Sequence, residues 1–324
     1  MIKQNKGWSK DRITAIYEQP FHELLYEAHT MHRKSHQVNK VQFGALLSIK
    51  TGACPEDCGY CSQSGHYKTE VEKEKLLPLN EVLARANEAK ANRATRFCMG
   101  AAWRTPPEKS MKELITMISE VKKLGLETCM TLGMLSQEQA LTLQEAGLDF
   151  YNHNIDSSPT YYEQVVSTRK FSDRLQTINH VREAGIKVCC GGILGMGESK
   201  TDRIDFLYTL ANMESPPESV PINRLIPVKG TPLAKAKPID NIELVRVIAT
   251  ARIIMPESMI RLTAGRSEMS DELQALCFFA GANSIFIGSK LLTKENPQLE
   301  KDNILLAKLG IEGSLSEDNQ IDAR

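Results

Sequence analysis

The 324-residue chain has no charge of one sign to spare, since Lys+Arg and Asp+Glu both total 40. Without a basic excess nothing points to nucleic acid, and apart from a mildly acidic end near Glu317 and Asp318 there is no acidic block. The expected partner is therefore a small molecule. No apolar run approaches the ~20 residues of a membrane span. Met1, Ile2, Lys3, Gln4, Asn5 and Lys6 lack the apolar core of a signal peptide, so a soluble, cytoplasmic protein is expected. Neither a repeat nor a flexible linker interrupts the chain. The glycine-rich run Gly191 to Glu198 lacks the G-x-G-x-x-G order that cradles a pyrophosphate, which argues against a dinucleotide site.

What the chain does have is eight cysteines, which in a reducing cytosol read as metal ligands or core fillers rather than disulfides. Cys54, Cys58 and Cys61 share one short loop at C-x3-C-x2-C spacing. Thiolates select zinc, copper or iron-sulfur clusters. Zinc normally takes four Cys or His ligands and only His66 is nearby to complete a set, while three thiols cannot all pair as disulfides. A 4Fe-4S cluster held by three cysteines, with one iron left open, fits the loop better.

Two apolar periodic stretches between residues 10 and 34, carrying Ile13, Ile16, Tyr17, Phe21, Leu24, Leu25 and Ala28, predict helices split by Pro20. A strand at Phe43 to Ile49 leads straight into the cysteine loop. Strands then recur at Thr95–Met99, Glu127–Leu132, Leu148–Asn152, Ile186–Cys190, Val220–Leu225, Met259–Thr263 and Ser284–Ile287, with helices between them. Met111, Leu114, Ile118 and Val121 mark one such helix, entered through Pro106 and Pro107. A capping box at Ser136 to Gln139 opens another, Gly147 and Gly185 stop two more, and Leu244, Val245 and Ile248 line a later one. Eight strand-then-helix units predict a parallel sheet closed as a single α/β barrel of the (β/α)8 TIM type, although an open doubly wound sheet shares the alternation. The expected divisions are a helical extension over 1–40, the barrel over 41–310 and a mobile tail over 311–324.

Barrel active sites lie at the C-terminal strand ends, so the cysteine loop sits at the mouth. Cys98, Cys129 and Cys189 fall on the second, third and fifth strands, and Arg261 on the seventh. A lone strand cysteine is usually a small buried hydrophobe, and of Cys189 and Cys190 only one can face the lumen. Buried Arg261 needs a counter-charge, which thiolates with iron would supply; from its chemistry alone it reads as a counter-ion, because a guanidinium has no lone pair to give a metal. Asn152, His153, Asn154 and Asp156 end the fourth strand and Asn223 lies on the sixth, where polar strand-end capping is the ordinary explanation. Arg174 starts the helix before Gly185. Cys277 reads as core.

The cysteine loop, with Tyr60 before its last cysteine, resembles the signature of the radical S-adenosylmethionine (SAM) enzymes. More narrowly, Cys98, Cys129, Cys189 and Arg261 match the four 2Fe-2S ligands of the biotin synthase family in type, order and strand. The resemblance runs from the prelude helices to about residue 310. It implies that the open iron of the 4Fe-4S cluster chelates SAM, and that an electron cleaves SAM to methionine and a deoxyadenosyl radical. It further implies sulfur insertion into dethiobiotin from the 2Fe-2S cluster. Cys54, Cys58, Cys61, Cys189 and Arg261 are then the catalytic set. Asn154 and Asp156 would hold the SAM ribose, Arg174 its carboxylate, Ala101 in Gly100-Ala101-Ala102 its amino group, and Ile193 and Ile226 its adenine. Asn152 and Asn223 would meet the substrate. A reducing donor such as flavodoxin and a homodimer are family expectations. The alternatives are another radical SAM barrel, of the hydrogenase-maturation or methylornithine-forming type, and a cluster carrier without catalysis; the polar mouth argues against a carrier.

Overall fold

The computed structural model describes residues 7–313. Ser9 accepts from the Arg12 amide to start helix Lys10–Tyr17, and Pro20 separates it from helix Phe21–Ser35. Their apolar faces bury Ile13, Tyr17, Leu24 and Ala28. The second helix packs on helix Asn241–Ile254 on the flank of the barrel. Arg252 fixes that contact from a buried position, donating to the carbonyls of Gly281, Pro256 and Ser258 and approaching His36 Nε2 at 2.7 Å.

Eight parallel barrel strands follow: Lys40–Lys50, Arg96–Ala101, Glu127–Thr131, Phe150–Asn152, Lys187–Cys189, Ser219–Arg224, Met259–Leu262 and Ser284–Phe286. Each pairs with the next, and the first strand also pairs with the eighth through Gln42 with Ser284 and Gly44 with Phe286. The sheet is therefore closed, and the open alternative falls away. The expected capping box at Ser136 forms, and Gly147 and Gly185 turn the chain out of their helices at positive φ. No helix among the described residues is long and apolar enough to cross a membrane.

Two departures from regular alternation shape the mouth. The fifth strand breaks after Cys189, and a segment Gly192–Leu194 pairs anew with the sixth. Only glycine permits this break, because a Cβ at Gly191 would lie 1.9 Å from the Pro221 carbonyl oxygen and one at Gly192 2.5 Å from that of Asp156. A short hairpin of Lys290–Leu291 with Lys294–Glu295 lies across the mouth; strands of two residues carry no readable period. At the opposite end, helix Leu299–Leu309 stops at left-handed Gly310, and Glu312–Gly313 pairs with Lys40 and Val41. The start of the expected tail thus extends the sheet; its remaining residues, 314–324, lie outside the described ones.

Candidate active site

Gly52 and Ala53, both left-handed at φ 70° and 49°, turn the chain off the first strand into the cysteine loop. The loop is tied to itself: the Cys54 amide donates to the Gln63 carbonyl at 2.8 Å, that of Gly65 to the Cys54 carbonyl at 2.7 Å, and that of Cys61 to the Cys58 carbonyl at 2.9 Å. All three cysteines are free thiols, Cys58 buried and the others half-buried. Burial pushes the Cys61 thiol up to about 12 and raises those of Cys54 and Cys58. Among the described residues no three His, Cys, Asp or Glu side chains converge on a single ion. Three thiols set apart on one rigid loop match a cluster in which each sulfur takes a different iron.

Beside the loop, Asp156 holds a left-handed backbone at φ 66°, which aspartate tolerates better than most residues. Its carboxylate accepts from Tyr60 Oη at 2.8 Å and pairs with buried Arg174, whose Nε donates to Tyr162 Oη at 3.0 Å. Arg169, not singled out from sequence, brings Nη2 to 3.8 Å from Cys58 Sγ. It lies 111 residues from that cysteine, beyond the reach of any local pattern.

Below the mouth a cavity of about 280 Å³ is lined by Tyr60, Cys61, Asn152, Asn154, Asp156, Ile193, Asn223 and Ile226, and at its floor by Cys98, Cys129, Cys189 and Arg261. Phe286 and Leu291, unanticipated, wall it, and Ser62 bonds Thr293 of the hairpin at 2.8 Å. Arg174 stands behind Asp156, and half-buried Ala101 ends the second strand beside Lys50; neither joins the lining. A larger groove of about 810 Å³ on the outer flank, lined by Leu47, Glu81 and Phe97, gathers none of these chemical groups.

The floor follows from strand alternation. Cys98 and Cys129 are register partners, Cys189 joins them, and Cys190 faces the helices instead. Asn152 Nδ2 donates to Cys189 Sγ at 3.2 Å. Asn154 Oδ1 accepts from the Gly191 amide at 3.1 Å, and Asn223 is held by the Gly192 carbonyl and Thr263. Burial disfavours ionisation of Cys98, but a hydrogen bond from Cys129 and the charges of Arg261 and Arg96 outweigh it and bring the thiol down to about 7.

The floor is also electropositive. Fully buried Arg261 donates to the neutral groups Gln42 and Ser284, and fully buried Arg96 has Glu127 at its Nε while its two terminal nitrogens find no hydrogen-bond partner among the described residues. Two guanidiniums against one carboxylate suit an anionic thiolate-iron group, so three thiols backed by these charges fit a buried 2Fe-2S cluster.

The Radical SAM superfamily matches residues 48–210, and the Biotin and Thiamin Synthesis associated domain matches residues 221–312. The chain is 71% identical over 311 residues to the biotin synthase of Legionella pneumophila (strain Corby), covering 96% of this chain and 99% of the relative. It is 60% identical to that of Thioalkalivibrio sulfidiphilus, covering 96% and 92%, and 57% identical to that of Coxiella burnetii (strain Dugway 5J108-111), covering 95% and 96%. Among solved structures, methylornithine synthase superposes with a TM-score of 0.81 at 16% identity, covering 98% of this chain and 97% of that one. The hydrogenase maturase HydG from Carboxydothermus hydrogenoformans gives 0.81 at 16% identity, covering 97% and 78%. At that identity these two share the fold alone, whereas the three relatives above bear one name.

Proposed function

The chain belongs to the biotin synthase family of radical SAM enzymes, which insert sulfur, and from that premise we propose how its own residues divide the work. Cys54, Cys58 and Cys61 hold a 4Fe-4S cluster at the mouth; Cys98, Cys129, Cys189 and Arg261 hold a 2Fe-2S cluster on the floor. When bound, these groups supply the electron that cleaves the SAM sulfonium and, from the deeper one, the sulfur that joins dethiobiotin to make biotin.

The polypeptide binds, orients and excludes water. By carry-over from the family, Arg174 and the Ala101 backbone, both outside the cavity lining, take the SAM carboxylate and amino group, while among the lining residues Asn154 and Asp156 take its ribose and Ile193 and Ile226 flank its adenine, with Tyr60 buttressing Asp156. Asn152 and Asn223 present amides that can both donate to and accept from the cyclic urea of dethiobiotin. Phe286 and Leu291 keep the space between them dry, where a radical would otherwise be quenched. Substrate held in this cavity lies between the SAM site and the sulfur source, which gives the proximity the reaction needs. A reducing donor such as flavodoxin and assembly as a homodimer are carried over from the family.

One observation carries this reading: three thiols and a guanidinium from four different strands meet in one layer directly under the asparagine pair. The test is anaerobic reconstitution with iron and sulfide, then mass spectrometry of products from SAM and dethiobiotin. About six iron atoms per chain, four plus two, and biotin with deoxyadenosine are expected. Deoxyadenosine without biotin from a fully loaded protein would favour a different radical SAM reaction.

A further inference from the structure

Arg261 is boxed in so that one nitrogen is spared. Its Nε donates to Ser284 Oγ at 2.8 Å, its Nη2 donates to Gln42 Oε1 at 2.9 Å, and the Phe286 ring centre lies 4.6 Å from the guanidinium carbon. Among the described residues Nη1 has only Cys98 Sγ, at 4.0 Å. Gly44 leaves room beside it: a Cβ there would stand 3.6 Å from Nη1 and 3.2 Å from the Phe286 ring.

The acceptor for Nη2 is fixed in its turn. Gln42 is buried; its Oε1 also accepts from Ser284 Oγ at 3.1 Å, and its Nε2 donates to Glu127 Oε2 at 3.2 Å. Turning the amide over would set its NH2 against the guanidinium and its oxygen against the carboxylate, so Glu127 dictates which end of Gln42 meets Arg261. Arg96 steadies Glu127 through Nε at 3.0 Å while lying on the face of Phe150 at 3.4 Å. Arg96, Glu127, Gln42 and Arg261 thus form one unbroken chain of donors and acceptors beneath the thiols.

We propose that Gln42 is a positioning residue for the buried cluster: oriented by Glu127, it holds Arg261 Nη2 so that Nη1 alone is turned to the thiol layer. The proposal rests on the reading of Arg261 as a cluster ligand. Groups that orient a metal ligand in this way typically govern metal affinity by about 10- to 100-fold.

The test compares four reconstituted holoproteins: wild type, Gln42→Met, Arg261→Met and the double variant. Two readouts are the Mössbauer quadrupole splitting of the 2Fe-2S centre and the rate at which a chelator strips its iron, with the 4Fe-4S signal as internal reference. Gln42→Met keeps the side-chain volume and removes the acceptor, so a shifted splitting and iron loss about 10- to 100-fold faster are expected. In the Arg261→Met background the same change should add nothing. Wild-type values for Gln42→Met, or equal shifts in both backgrounds, would overturn the proposal. Should Gln42→Met not fold, Gln42→Asn keeps a buried amide but withdraws it by one methylene; the same shift is expected, and wild-type values again overturn it. An Arg261→Met centre identical to wild type defeats the ligand assignment itself, whereas a changed Arg261→Met with an unchanged Gln42 variant defeats only the role given to Gln42.

Discussion

Asn152 donates through Nδ2 to the sulfur of Cys189 at 3.2 Å, joining a residue proposed to hold substrate to one proposed to hold the sulfur source. The contact exists because the two are register partners on neighbouring strands, both turned into the lumen. Substrate held by Asn152, as proposed, would thereby meet the thiol layer without any intervening element.

Alanine at Cys98, Cys129 or Cys189 should therefore abolish biotin formation while the loop cluster still assembles, since the loop and the floor belong to different elements. The expected result is deoxyadenosine without biotin, with the 4Fe-4S signal retained in electron paramagnetic resonance of the reduced protein. Full biotin yield from any of the three would overturn the sulfur-donor assignment.

Replacing Cys54, Cys58 or Cys61 by alanine removes one of three protein ligands from a loop held by its own backbone hydrogen bonds. The barrel should fold with native circular dichroism, and reductive cleavage of SAM under dithionite should disappear. A variant that still makes deoxyadenosine at the wild-type rate would show that the loop does not hold the SAM cluster.

The cysteine loop and the strand cysteines were legible because their signals are local: a spacing in one case and a period of two in the other. Polar groups behind them were not. Gln42 lies one residue outside the predicted first strand, Phe43 to Ile49, yet pairing with the eighth strand reaches back to Gln42 and turns it inward, and pairing with Glu312–Gly313 carries the strand on to Lys40. Arg96 and Glu127 share the inward parity of Cys98 and Cys129, which alternation could have revealed. Which partner each finds depends on closure of the barrel between segments far apart in sequence. Arg169 near Cys58 and the hairpin over the mouth are tertiary in the same sense.

Arg174 and Asp156 form a buried pair, with side chains 6% and 4% exposed. Arg174→Met leaves the carboxylate with Tyr60 as its neighbour and an uncompensated charge, at a cost of about 3 to 5 kcal/mol in denaturant unfolding. Adding Asp156→Asn to that variant should recover part of the loss, because the stranded charge is gone. SAM affinity by equilibrium titration should fall in both variants. Additive losses of stability in the double variant would mean that the two side chains do not act as a pair.

The prelude helices give a pH dependence whose sign is set by burial and reinforced by Arg252. Burial first, and then the Arg252 charge, lower the imidazole of His36 to about 4, and burial with the same charge lowers His32 to about 3. In the unfolded chain both return to about 6.5, so between these values the unfolded state binds more protons than the folded one. The stabilisation is fully present above about 6.5 and is lost progressively as pH falls toward about 4 for His36 and about 3 for His32. Glutamine at position 36 cannot take up a proton but can still accept from Arg252 Nη1, so it should remove part of the slope. Thermal melts across this window should show wild type losing more stability on acidification than His36→Gln. Parallel curves for the two proteins would assign the acid sensitivity to groups other than this imidazole.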